Sequence, residues 1–221
     1  MSWTHTLNIA GIPKGSYRSI AGYASESLAV GRAMLCGYII FVKAWRDSKY
    51  DAVLDANGSL FRIEIKGTAG TSTISTSSGG RAGEQINRAA KSREFPLSKV
   101  DCDWLIATTS MDSQCWVIPI EFIEILGVKS IKIPHLEIFK EKWSVFVTQD
   151  PNVKPYLKSG YRDLDDVKIQ KIANSMGIDP SIASEKYSFD PSNKRLKKKY
   201  QMMPKDRLVI AIWEKIFRDL P

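Results

Sequence analysis

Histidine is scarce in this chain. His5 and His135 are the two in 221 residues, which excludes His-rich metal clusters and leaves little material for a Ser-His-Asp hydrolase. Cysteine is scarce too. Cys36, Cys102 and Cys115 are odd in number and far apart. They fit buried thiols in a reducing cytosol, and neither a disulfide framework nor a zinc site. Long apolar runs are missing: the best candidate, 116–126, is broken by Pro119, Glu121 and Glu124, so no membrane span and no membrane partner are expected. The first nineteen residues hold no apolar core behind basic residues, so no secretory signal is expected. A Gly-Lys-Ser/Thr phosphate loop is also lacking, so no nucleotide cofactor is expected. What the chain has in excess is positive charge. Lys plus Arg number 32 against 24 Asp plus Glu, a net charge of +8. Such a balance favours a polyanionic partner, nucleic acid above all. With 43% apolar and 25% charged residues, the composition is that of a folded protein. Its length suits one domain, or one with a small appendix.

Apolar spacing orders the elements. Residues 16–36 read as a helix, with Ile20, Ala24, Leu28, Gly31 and Leu35 at helical intervals and Gly37 at its stop. Residues 38–44 read as a short strand. Residues 49–55 and 59–66 read as two more, joined at Asn57-Gly58, a strong hairpin signal. The Gly/Ser/Thr-rich stretch 67–83 reads as a loop or polar edge strand, with a strand near 73–77. A helix at 84–92, strands at 103–109 and 114–120, a short helix or turn at 121–126 and a last strand at 144–148 follow. After Asp150 the character changes. Pro151, Pro155 and Gly160 read as a connector, and 163–176 and 206–220 have helical patterns. The expected division is a core at 1–150 and a basic, mostly helical extension at 151–221.

The hairpin carries the chemistry. With Asn57 and Gly58 as loop residues, Asp51 lies opposite Glu64 and Lys66 opposite Lys49. Side chains alternate between the faces of a strand. One face then carries Tyr50, Ala52, Leu54, Phe61, Ile63 and Ile65, all apolar or aromatic. The other carries Lys49, Asp51, Val53, Asp55, Leu60, Arg62, Glu64 and Lys66. A slip by one residue would invert both faces, so the burial pattern favours this register. Asp51 and Glu64 are candidates to bind a divalent cation jointly, since Mg²⁺ takes one or two carboxylates with waters and phosphate oxygens. Lys66 would place a cation at a phosphate or hold the attacking water. Mixed charge on one hairpin face also occurs as a solvated surface of cross-strand ion pairs. Glu26 is a third acid, set off from the apolar stripe of its helix and flanked by Gly22, Ala29 and Ala33, which let the helix approach a neighbour closely.

From 21 to 120 the chain resembles the PD-(D/E)XK nuclease superfamily. The resemblance lies in Ala24-Ser25-Glu26-Ser27-Leu28-Ala29-Val30, Leu35-Cys36-Gly37-Tyr38, Tyr50-Asp51-Ala52-Val53-Leu54-Asp55 and Phe61-Arg62-Ile63-Glu64-Ile65-Lys66-Gly67-Thr68. It is similar in particular to the group I intron-associated homing endonucleases, and shares much with small type II restriction enzymes and archaeal Holliday junction resolvases. Val100-Asp101-Cys102-Asp103-Trp104-Leu105-Ile106-Ala107 and Cys115-Trp116-Val117-Ile118-Pro119 look like the downstream part of the homing group. The resemblance implies a restriction-endonuclease-like α/β/α core with a central mixed sheet. It also implies Mg²⁺-dependent cleavage of double-stranded DNA, with Mn²⁺ able to substitute. Glu26, Asp51, Glu64 and Lys66 match its catalytic positions. The chain departs from the pattern in two places. Glu64 stands where the homing group often has Gln, so the site looks closer to the restriction and resolvase pattern; a restriction-type enzyme is favoured, with a homing endonuclease and then a junction resolvase or repair nuclease as alternatives. Tyr50, not Pro, precedes Asp51. Residues 151–221 are not covered.

Candidate phosphate contacts fall in two groups. Arg81, Arg88, Lys91 and Arg93 follow the Gly/Ser/Thr stretch, with Gln85 as a candidate support to the site. Lys194, Arg195, Lys197, Lys198 and Lys199 lie in the extension, where 190–221 hold nine basic and four acidic residues. Residues 163–188 have a loose helix-turn-helix pattern with Gly177 in the turn. One active site per chain and two strands to cut imply a homodimer. The expected setting is the cytoplasm, nucleoid-associated, in a prokaryote or phage. A non-catalytic DNA-binding module of the same fold, or an interaction protein with an exposed charged hairpin, would predict no metal-dependent cleavage.

Overall fold

The structure is a computed structural model. It describes residues 8, 10–44, 49–68, 73–79, 94–110, 112–151, 153–159, 164–179 and 204–221. The chain divides into two units, Met1–Trp143 and Ser144–Pro221. Among the described residues no helix is long and apolar enough to cross a membrane.

In chain order the first unit holds α1 (Lys14–Leu35), β1 (Ile39–Val42), β2 (Ala52–Ala56), β3 (Ser59–Thr68), β4 (Thr73–Ser75), β5 (Ser77–Gly79), β6 (Glu94–Pro96), β7 (Trp104–Thr109), β8 (Cys115–Pro119), α2 (Ile120–Leu126) and β9 (Ser130–Lys132). Its centre is a five-stranded mixed sheet in the order β1-β2-β3-β7-β8. Only the β3–β7 pairing is parallel; β1–β2, β2–β3 and β7–β8 are antiparallel. β4 pairs with β9, and β5 with β6. This is the mixed α/β architecture that the order of sequence patterns predicts. The helix expected at 84–92 lies outside the described residues.

The Asn57-Gly58 turn behaves as the dipeptide requires. Both residues have positive φ, 55° and 84°, the geometry of the tight turn that matches strand twist. The turn then fixes the ladder from Ala56↔Ser59 to Ala52↔Ile63. Ala52, Leu54, Phe61, Ile63 and Ile65 are buried as expected. β7 is buried at every position, as befits a central strand covered on both faces.

α1 packs against β3, β7 and β1, and it does so through the small residues near Glu26 rather than through the expected aliphatic stripe. The residues it buries are Ser25, Ala29 and Ala33, while Ile20 and Leu35 of the expected stripe are 54% and 82% exposed. Small side chains win because they let the helix axis approach the sheet. A Cβ added at Gly67 would lie 1.9 Å from Ser25 Oγ. The C-terminus of α1 closes with Gly37 at φ 88°. Its N–H donates to the Met34 carbonyl at 2.9 Å, and the Tyr38 N–H to the Ala33 carbonyl at 3.1 Å. This Schellman pattern satisfies carbonyls that a helix end leaves open. It also turns the chain into β1 and buries Tyr38, whose hydroxyl donates to the Trp143 carbonyl at 2.7 Å. Glu141 ties α1 to β8: it accepts from Arg32 at 2.6 Å, from the Cys115 N–H at 2.9 Å and from the Trp143 indole at 2.9 Å.

The second unit is helical: α3 (Val153–Ser159), α4 (Asp166–Ser175) and α5 (Pro204–Asp219). Asp165 caps α4, its carboxylate accepting the Lys168 N–H at 2.7 Å. α4 packs on α5, with Ile169, Ala173, Leu208, Ile212 and Trp213 among the buried residues. Two expectations are corrected. A 3-10 helix, Trp143–Val147, stands in place of the last strand at 144–148. And α3 forms where a connector was expected, because Pro155 falls in its first turn, where no helical N–H donor is required. Cys102 and Cys115 are buried thiols, but Cys36 is exposed at the end of α1. Gly177 follows α4 with φ 68°; the second half of the helix-turn-helix pattern lies outside the described residues from 180 onward.

Candidate active site

Asp51 sits one residue before β2, at the point where three strands are stitched together. Its N–H donates to the Ile63 carbonyl at 2.8 Å, and its own carbonyl accepts the Lys43 N–H at 3.1 Å. The side chain is held as tightly. One carboxylate oxygen, Oδ2, accepts the Ile65 N–H at 2.8 Å, and the other, Oδ1, takes the Lys43 ammonium. Glu64 rises from β3, with Oε1 paired to the Lys66 ammonium. Asp51 is 8% exposed and Glu64 7%. Carboxylates this buried require partners, and both have them.

Glu26 joins them from α1. A cleft of about 260 Å³ lies between α1 and the ends of β1 and β2, lined by Tyr23, Glu26, Val30, Val42, Lys43, Asp51 and Ile65. The structure thus brings Glu26, Asp51, Glu64 and Lys66 into one electrostatic cluster. Burial raises the Glu64 carboxyl above the usual range; Lys66 opposes the rise and the charge of Asp51 adds to it. Burial also raises Glu26, again with Asp51 adding to the rise, against the pull of Lys43 and Lys66. For Lys43, burial works against its charge, but the hydrogen bond to Asp51 and the charges of Asp51, Glu26 and Glu64 outweigh it and hold the ammonium above its ordinary value. Three acids and two lysines leave the cluster one negative charge in excess when all are ionised.

Lys43 is the member that sequence reasoning missed. Val42 pairs with Ala52 in the β1–β2 ladder, so the next step of that register places Lys43 beside Asp51. Two other charges on the hairpin's polar face are taken elsewhere. Arg62 donates to both oxygens of Asp103, at 2.9 and 3.1 Å, and to the Val100 and Lys99 carbonyls. Lys49 lies 3.8 Å from Asp101. The candidate phosphate contacts Arg81, Arg88, Lys91, Arg93, Lys194, Arg195, Lys197, Lys198 and Lys199, and Gln85, lie outside the described residues.

Among the described residues no three or more His, Cys, Asp or Glu side chains form a cage for a metal ion. Mg²⁺ needs no such cage, because waters and substrate oxygens complete its octahedron around one or two carboxylates. The pair Asp51 and Glu64, with Glu26 near and a net negative charge, is a donor set that fits such an ion.

No protein-family model matches the chain, and no curated protein matches it. Among solved structures, a bacterial homing endonuclease superposes with a TM-score of 0.49 at 18% identity, over 58% of this chain and 92% of that one.

Proposed function

We propose that this chain is a metal-dependent DNA endonuclease of the PD-(D/E)XK type, hydrolysing phosphodiester bonds of double-stranded DNA at a specific site in the manner of a restriction enzyme. The observation that carries this reading is a cluster of buried carboxylates. Asp51 and Glu64 are both buried and feel each other's charge, Lys66 pairs with Glu64, and Glu26 lines the same cleft as Asp51. Burying acids costs stability, and a surface used only for binding has no chemical need of them.

Asp51 and Glu64 would hold Mg²⁺, or Mn²⁺ in its place. When bound, the ion supplies a water of lowered pKa and neutralises charge on the phosphate. The backbone bond from Ile65 fixes the Asp51 carboxylate in orientation before any ligand arrives. Lys66, 27% exposed in its side chain, keeps an ammonium at the edge of the cluster, where negative charge develops on the phosphate oxygens. Glu26 accepts a proton or hydrogen bond from a water in the cleft, a role that its raised pKa suits. Two copies, one per strand, would act on a symmetric target, and the net charge of +8 supplies long-range attraction to DNA.

The test is digestion of plasmid and phage DNA with Mg²⁺ or EDTA, wild type beside Asp51→Asn and Lys66→Ala. Discrete fragments that need the metal are expected, with each variant slower by about 10²–10³-fold. Undiminished cleavage by both variants, or none by wild type on linear, supercoiled or four-way-junction DNA, would overturn the reading.

A further inference from the structure

The cluster contains a cation of its own at the place where a metal would go. Asp51 has two carboxylate oxygens. Oδ2 already accepts the Ile65 N–H, so Oδ1 is the oxygen with more room for a ligand. That oxygen is held by Lys43. Lys43 arrives from the end of β1, a different strand from either acid, and is fixed there by its N–H bond to the Asp51 carbonyl. It lines the same cleft as Glu26 and Asp51, with a quarter of its side chain exposed. We propose that Lys43 is a positioning residue that acts as the site's internal counter-cation, so that a divalent cation reaches Asp51 only in competition with the Lys43 ammonium.

The inference rests on the proposed role of Asp51 as a cation ligand. Two positive charges a few ångströms apart repel strongly in a half-buried setting. Lys43 therefore weakens cation binding in the absence of DNA, while keeping the buried carboxylate oriented and compensated. When phosphate enters, its charge offers the ammonium a second partner, and Oδ1 becomes available. The device couples cation binding to the presence of substrate.

The experiment is Mn²⁺ titration of the full chain without DNA, followed by calorimetry and by water-proton relaxation. Variants are Lys43→Met, Lys43→Gln, Lys43→Arg, Asp51→Asn and Lys49→Met, with circular dichroism as the fold check. Lys43→Met and Lys43→Gln should bind Mn²⁺ about ten-fold tighter or more. Lys43→Arg, which keeps the charge, should match wild type. Lys49→Met, which removes an exposed lysine paired with Asp101, should change affinity less than two-fold. Equal affinity in wild type and both neutral Lys43 variants overturns the inference and leaves the site standing. So does an equal tightening by Lys49→Met, which would mean a general charge effect. If one neutral variant fails to fold, the other decides. Binding that Asp51→Asn does not weaken, or no binding by any variant, overturns the site reading itself and the inference with it.

Discussion

A buried carboxylate whose pKa is raised destabilises the folded state at neutral pH, and Glu64 is such a group. Its folded-state value lies above the unfolded one. Its contribution to stability is therefore fully present below the ordinary value of 4.5 and is lost as pH rises through the folded value. Lys66 does not reverse this, although it pairs with Glu64, because desolvation is the larger effect. Glu64→Gln removes the charge and keeps the shape. Thermal unfolding near neutral pH should show the variant above wild type, with the gap closing as pH falls toward the ordinary carboxylate value. The same variant should lose most cleavage activity. A variant that is less stable at neutral pH would show that the Lys66 pair, not burial, dominates there. This opposition of stability and activity is what a functional site produces, and no single residue type in the sequence reveals it.

At the scale of elements, the packing of α1 on the sheet decides where Glu26 points. The periodicity of large aliphatics marks Ile20 and Leu35 as the inner stripe, yet both face out. The inner face is Ser25, Ala29 and Ala33, matched by Gly67 at the far end of β3. Close approach brings Glu26, one position beyond Ser25, to the cleft. Gly67 is required here for space, since its φ is ordinary and its missing Cβ is what Ser25 occupies. Gly67→Ala should destabilise the protein by about 1–3 kcal/mol, read by denaturant titration, and should weaken cleavage by shifting α1 away from Lys66. Ser25→Gly in the same chain should recover part of the loss. If Gly67→Ala is neutral on both counts, the close packing of α1 is not what positions Glu26. Hairpin and helix differ in legibility for a physical reason. The hairpin register is local, set by two turn residues and an alternating pattern. The helix face is chosen by a partner far away in sequence.

At the scale of the whole molecule the leading quantity is charge. A net +8 on 221 residues would make DNA affinity fall steeply with salt. The basic run at 194–199 is the densest concentration of that charge in the sequence. Replacing Lys197, Lys198 and Lys199 by Ala should lower the slope of log affinity against log salt by up to about 0.9 for each phosphate that is no longer neutralised. Filter binding to a non-specific duplex at several salt concentrations measures it. An unchanged slope would remove that run from the interface. The proposed homodimer belongs to this scale as well. Sedimentation of the chain with a cleavable duplex and Ca²⁺ should show two chains per DNA, and one chain per DNA would favour successive nicking by a monomer.

By itself the sequence determined the alternation of β2 and β3, their turn and their register from Ala56↔Ser59 to Ala52↔Ile63. It determined the helical character of 166–175 and 204–219 as well, because each of these depends on neighbours within a few positions. It left undecided which face of α1 is buried, that α3 and a 3-10 helix replace a connector and a strand, and that Lys43 completes the cluster. Those features arise between segments. Lys43 and Asp51 meet because β1 pairs with β2 across a stretch that carries no turn signal. The Arg62 guanidinium is taken up by Asp103, which stands just before β7. Burial then sets the charge state of the site, and burial is a property of the packed layers rather than of any one residue's place in the chain.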